Sequence, residues 1–135
     1  MLITRNSLAT NPGPSDWFTG KVYLDTIATP AAPSRVTATC VHFTPGARTA
    51  WHTHPVGQTI YVTEGVGRCQ HGGGPVETIQ AGDRVYFEPG ENHWHGAAPG
   101  RLMVHIAIQM LDDSGSAATF GAAVTDDQYR HKETA

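Results

Sequence analysis

The sequence predicts an all-β domain, a sandwich or barrel of short strands, and three observations predict it. Fifteen glycines and nine prolines punctuate the 135 residues from end to end. Between them stand short runs rich in valine, isoleucine, threonine and aromatic residues, eight or more in number, each the length of a strand. Almost nothing in the chain reads as helix, so these runs must bury their apolar faces against one another. At this length the chain is expected to form one domain, residues 1–135, with an arm at 1–20, a core at 35–110 and a C-terminal segment at 111–135.

The elements follow in order. In the arm, "NPGPSDWFTG" is a turn-rich stretch ending in an aromatic anchor, Trp17-Phe18. An arm of this kind is a natural strap across a neighbouring copy, and strand edges invite pairing, so a homodimer or homotetramer is expected. "KVYLDTI" (21–27) alternates as a strand, "TPAAPS" connects, and "RVTATCVHF" (35–43) is a longer β-branched strand. "TPGA" turns the chain into "RTAWHTH", "PVG" breaks it, and "QTIYVT" (58–63) is a strong strand. "EGVG", "GRCQH" and "GGGPVETI" read as a hairpin with a glycine turn. "GDRVYF" (82–87), "HWHGA" (93–97) and "RLMVHIAIQM" (101–110) are strands, and the stretch from 111 to 123 is a loop. "TDDQYR" (125–130) places Thr125 three residues before Gln128, the capping-box pattern of a short terminal helix.

Composition excludes several functions. A formal net charge of −3, with 16% charged and 39% apolar residues, offers no basic surface for nucleic acid. No apolar run approaches the roughly 18 residues of a membrane span. The N-terminus turns polar at Thr4, too early for a signal peptide, and Cys40 and Cys69 show no disulfide or zinc spacing, so a cytoplasmic protein with reduced thiols is expected. The two lysines, Lys21 and Lys132, lie off the strands that would line a pocket, which argues against Schiff-base chemistry. There is no Gly-x-Ser-x-Gly elbow, "HGGG" at 71–74 has no nucleophile to serve, and "GVGRCQ" lacks the third glycine of a dinucleotide fingerprint.

What remains is histidine. In "AWHTHP", His52 and His54 stand one residue apart, so on a strand both rings project to one side. The pair is part of an ordered spacing: Gly46, His52, His54, Gln58 and Gly65, then Gly82, Glu88-Pro89-Gly90 and His93. These two blocks closely resemble the paired motifs of the cupin superfamily, and the likeness implies a double-stranded β-helix, the jelly-roll barrel. It implies a metal held by His52, His54, Gln58 and His93. Most cupins carry glutamate where this chain has Gln58, which either ligates through a neutral amide or stands as a structural residue beside three histidines. A neutral donor set leaves the charge of a divalent ion uncompensated, which favours Lewis-acid chemistry over oxygen activation.

Alternation extends the site. If His93 faces inward, so does His95; on the last strand Met103, His105, Ala107 and Gln109 share one face, and Leu102, Val104, Ile106 and Ile108 the other. That polar face either lines a cavity or meets solvent. Thr39, Val41 and Phe43, with Met103, are expected to line the substrate pocket, while His42 points the opposite way. "DWFTG", "FTPGARTAWHTHPVGQT", "PGENHWHGAAP", "HIAIQ" and "VTDDQYR" resemble the small bacterial cupins that act as manganese-dependent hydroxynitrile lyases. That likeness implies cleavage of cyanohydrins to aldehyde and cyanide, and the reverse addition. It implies a divalent ion, manganese first and iron, nickel or zinc as other occupants, with His95, His105 and Gln109 as catalytic residues around a small-molecule substrate. The alternatives are a cupin dioxygenase and a cupin that binds a small molecule without turnover.

Overall fold

A computed structural model describes residues 1–5 and 9–131; Lys132 falls outside the described residues. Twelve strands and one short helix make up the described chain: β1 (Asn11–Pro12), β2 (Phe18–Thr19), β3 (Val22–Ala28), β4 (Val36–Phe43), β5 (Arg48–Thr49), β6 (His52–Thr53), β7 (Gln58–His71), β8 (Glu77–Gln80), β9 (Arg84–Phe87), β10 (His93–Ala97), β11 (Met103–Met110), β12 (Thr119–Phe120) and α1 (Asp126–Arg130). All pairings are antiparallel, in the order β1-β3-β4-β11-β7-β10-β5-β2, and the sheet curls into the jelly-roll barrel that the sequence predicts. No helix among the described residues is long and apolar enough to cross a membrane.

Strand β7 ties the two layers together. Its first half pairs with β11 and β9, its second half with β10 and β8, so one continuous strand crosses from layer to layer. The sequence predicts a break near 64–67; the chain runs through it because Gly65 takes a φ of 81°, and a side chain there would collide with the Leu102 carbonyl. A glycine can supply that backbone without the steric penalty other residues carry. The ladder to β11 shifts by one residue at Thr63, just before this bend, and the strand continues through both.

The arm and the late loop are also corrected. Residues 11–19 do not extend away from the domain; β1 pairs with β3 and β2 with β5. Phe18 meets Phe43 edge-on at 6.0 Å, and Trp17 stacks on Phe120 at 4.9 Å. The aromatic anchor therefore packs on its own chain, with Phe18 half-buried and Trp17 still exposed on one side. Within the loop expected at 111–123, β12 adds to β6. The helix is as predicted: Thr125 caps it, and the Gln128 side chain returns the bond to the Thr125 amide at 2.9 Å.

Inside the barrel, Val22, Val41, Phe43, Ile60, Val62, Phe87, Met103 and Ala107 form the main core. A second small core, Val76, Trp94, Val124 and Tyr129, holds α1 against the outside of β10.

Candidate metal centre and its cavity

The polar face of β11 is the inward one. His105 is fully buried while Ile108 and Leu102 on the opposite face are exposed, which inverts the ordinary placement of polar and aliphatic residues. Polar side chains buried in this way need partners or a ligand. Antiparallel pairing sets them in rows across the barrel wall: Thr37, Gln109 and Gln58 lie side by side on β4, β11 and β7, then Thr39, Ala107 and Ile60, then Val41, His105 and Val62.

Opposite this wall, β6 and β10 are in register at His52 and His93. His54 sits in the turn after β6, and the amides of Gly57 and Gly90 both donate to its carbonyl, at 3.3 and 3.0 Å. That single carbonyl fastens the loop of the first histidine motif to the Pro89-Gly90 turn of the second. His52, His54, Gln58, His93, His95 and His105 are all buried. The nearest ring nitrogens of His52, His93 and His95 lie within 4.8 Å of one another.

The hydrogen bonds sort these histidines. Nδ1 of His52 donates to the Ala50 carbonyl at 2.8 Å, that of His54 to the Ala117 carbonyl at 2.7 Å, and that of His93 to the Glu91 carbonyl at 2.8 Å. A carbonyl can only accept, so each Nδ1 carries the proton and each Nε2 keeps its lone pair. This is how ligating histidines are held. His54 Nε2 is buried without a partner, and His93 Nε2 lies 3.4 Å from Gln58 Oε1. His95 is different: its Nδ1 meets Nε2 of His105 at 2.9 Å, leaving His95 Nε2 and His105 Nδ1 buried and unpaired.

Burial disfavours the charged form of all five rings. It pushes His93 down to about 4 and His105 down to about 3, and with its histidine neighbours holds His52 and His95 well below the usual imidazole range; His54 is lowered too. At neutral pH the cluster is uncharged, and among the described residues lining the cavity only Asp16 is an acid. Neutral imidazoles with inward lone pairs and an amide oxygen suit a divalent ion of borderline character.

His52, His54, Gln58, His95 and His105 face a cavity of about 830 Å³, whereas His93, expected among the ligands, is completely buried and does not line it. Thr39, Val41, His52, His54, Gln58, His95, His105, Ala107 and Gln109 line it, as the sequence places them. Phe43 and Met103, expected among the pocket residues, do not. They face inward as alternation requires, but their row lies beyond His105, where Phe43 packs 5.2 Å from the His105 ring and Met103 is completely buried. Alternation fixes the side a residue takes but not its depth. His42 faces out and pairs with Asp25 at 2.9 Å. The sequence reading missed the cavity mouth, built from Trp17, Phe18, Leu24, Ala117, Ala118 and Phe120. Phe120 stacks 4.9 Å from His52, and no local pattern announces a contact between residues so far apart in the chain.

Comparison with known proteins agrees with this geometry. Residues 39–107 match the cupin domain. The chain is 54% identical over 124 residues, 92% of this chain and 94% of the relative, to a protein of Granulicella tundricola named (R)-mandelonitrile lyase. A crystal structure of a cupin-like protein from Thermotoga maritima superposes with a TM-score of 0.84 at 39% identity, covering 92% of this chain and 94% of that one. An acetylacetone dioxygenase from Acinetobacter johnsonii shares the fold at 16% identity and a TM-score of 0.60, covering 91% of this chain and 84% of its own.

Proposed function

The chain belongs to the cupin domain family, and from that premise we propose that it is a metal-dependent hydroxynitrile lyase, cleaving cyanohydrins such as mandelonitrile to an aldehyde and cyanide and catalysing the reverse addition. The observation that carries the reading is the buried His95–His105 pair, with one free nitrogen on each ring, standing beside the neutral ligand cluster in the cavity. His52, His54, Gln58 and His93 hold the ion. His95 has a ring nitrogen within 4.8 Å of those of His52 and His93, but in this reading its contact with His105 gives it to proton transfer and not to the ion. When bound, the ion supplies Lewis acidity that acidifies the substrate hydroxyl. Manganese is the ion the likeness to the family implies.

The pair accounts for the protons. With Nε2–H of His105 donating to His95 Nδ1, His105 Nδ1 carries a free lone pair and His95 Nε2 a free N–H. His105 Nδ1 takes the hydroxyl proton, the proton between the rings passes to His95 Nδ1, and His95 Nε2 releases its own to the departing cyanide. The C–C bond breaks as the carbonyl forms, the cyanide carbon keeps the electron pair, and neither ring holds an extra proton at the end. Two rings that burial holds neutral are suited to passing a proton on rather than storing it.

The test is metal analysis of the purified protein, then cleavage of mandelonitrile followed as benzaldehyde formation with manganese restored. Metal-dependent benzaldehyde release is expected. A metal-replete protein that leaves mandelonitrile at its uncatalysed rate would overturn the proposal. Consumption of oxygen would move the protein to the dioxygenases, and ligand binding without turnover to the binding cupins.

A further inference from the structure

Gln58 Oε1 and His93 Nε2 face each other at 3.4 Å, and with His93 Nδ1 committed to the Glu91 carbonyl neither atom carries a proton. Two lone pairs so close repel unless a cation lies between them. An amide has an easy escape: a half-turn would bring Nε2 round to donate to His93. Something must hold Gln58 in the costly orientation.

The row of side chains across β4, β11 and β7 does so. Gln58 Nε2 donates to Gln109 Oε1 at 2.9 Å, and Gln109 Nε2 donates to Thr37 Oγ1 at 2.8 Å. The Thr37 hydroxyl in turn donates to the main-chain carbonyl of Gln109, at 3.5 Å. That last acceptor cannot reverse, because a carbonyl has no proton to give. With the hydroxyl proton directed there, its lone pair faces Gln109 and fixes that amide, which fixes Gln58.

We infer that Thr37 is a positioning residue for the metal centre, acting through Gln109 to hold the Gln58 carbonyl oxygen, and not its NH2, toward the ion. The inference rests on the reading that Gln58 is a ligand. Thr37 does not line the cavity, so it acts without touching substrate. It also explains why a glutamine works at a position where a carboxylate would need no such device: a carboxylate presents oxygen either way round.

The experiment is titration of the metal-free protein with Mn2+, reading free ion by its electron paramagnetic resonance signal. Thr37→Val keeps shape and strand propensity but removes the hydroxyl, and should weaken Mn2+ binding about 10- to 100-fold, the usual cost of losing a partner that orients a ligand. Thr37→Ser should restore affinity. In a Gln58→Glu background Thr37→Val should change affinity little, because the amide to be oriented is gone. Equal affinity of Thr37→Val and parent, or the same loss in the Gln58→Glu background, would overturn the inference while leaving the metal centre standing. Parent protein that takes up no Mn2+, or Gln58→Ala that keeps parental affinity, would instead remove the ligand reading on which it rests.

Discussion

His105 and His42 sit on strands paired to one another and face opposite sides of the wall, which makes them a matched pair for testing the proton relay. His105→Ala should retain the metal yet lose roughly 10²- to 10⁴-fold in turnover, the worth of a positioned acid or base. His95→Ala should behave alike, since either ring alone leaves the shared proton without a destination. His42→Ala, which removes a ring that faces outward against Asp25 and Cys40, should leave turnover within a few fold. His54→Ala, by contrast, should lose the ion together with activity; a variant with stoichiometric metal would remove His54 from the ligand set. At this scale the sequence was a good guide to direction. The period of two placed His93, His95, His105 and Gln109 on inward faces, whereas His54, expected on a strand with His52, is brought inward by the turn after β6. It could not say how far along the barrel a residue sits, and so it put Phe43 and Met103 at the pocket when they close the floor beneath His105. Nor could it see that Gln109 is held between Gln58 and Thr37, because that depends on register between three strands.

Among the elements, α1 is the smallest and the most dependent on others. Five residues cannot hold a helix in water, since the first turn costs more order than its bonds return. The capping box supplies part of the deficit, and Tyr129 the rest: its ring lies buried against Trp94 at 5.8 Å, Arg48 stands over it at 4.6 Å, and its hydroxyl donates to the Ala97 carbonyl. Arg48 also reaches the Val124 carbonyl and Asp126, at 2.7 and 2.9 Å. Tyr129→Ala should therefore cost about 3–5 kcal/mol, as other large buried aromatics do, and Thr125→Ala about 1 kcal/mol as a lost N-cap. Chemical denaturation checks both, and a loss at Tyr129 no larger than at Thr125 would contradict the docking role. The helix was legible because its signal is local, two side chains three residues apart. Strand β12 was not, because Thr119 and Phe120 gain their partners only from β6, some 66 residues earlier at Thr53 and 68 at His52. The same absence of local cause hid the crossing of β7, where glycines that ordinarily end a strand let this one bend.

Taken whole, the molecule buries a polar histidine cluster beside its apolar core and leaves several large apolar side chains exposed outside. Tyr61, Tyr86, Ile108 and Met110 are exposed on the outer surface of β7, β9 and β11. The row through Ile106 and Tyr61 ends in Arg84 on one side and Asp25 on the other, so a second copy related by a two-fold along the strands would set unlike charges together. We propose this face as the seat of the self-association expected from the sequence: where the parent is an oligomer by light scattering, Tyr61→Asp with Ile108→Asp should yield monomers, and an unchanged mass would refute it. The interior sets the response to pH. Five histidines that must be neutral when folded, with values lowered by burial, bind protons more readily in the unfolded chain, where the ordinary value is about 6.5. Stability therefore rises with pH in that interval and is lost as pH falls below about 6.5, by about 1.4 kcal/mol per pH unit for each ring that stays unprotonated in the fold. Metal-free protein should melt progressively lower from pH 7.5 to 5 in scanning calorimetry. Bound ion should raise the melting temperature most at the upper end, because protons compete for the same nitrogens. His105→Leu should flatten the metal-free profile by about one ring's share. A metal-free protein with a level profile across that interval would mean that the cluster accepts protons when folded, and the relay of neutral rings would then have to be abandoned.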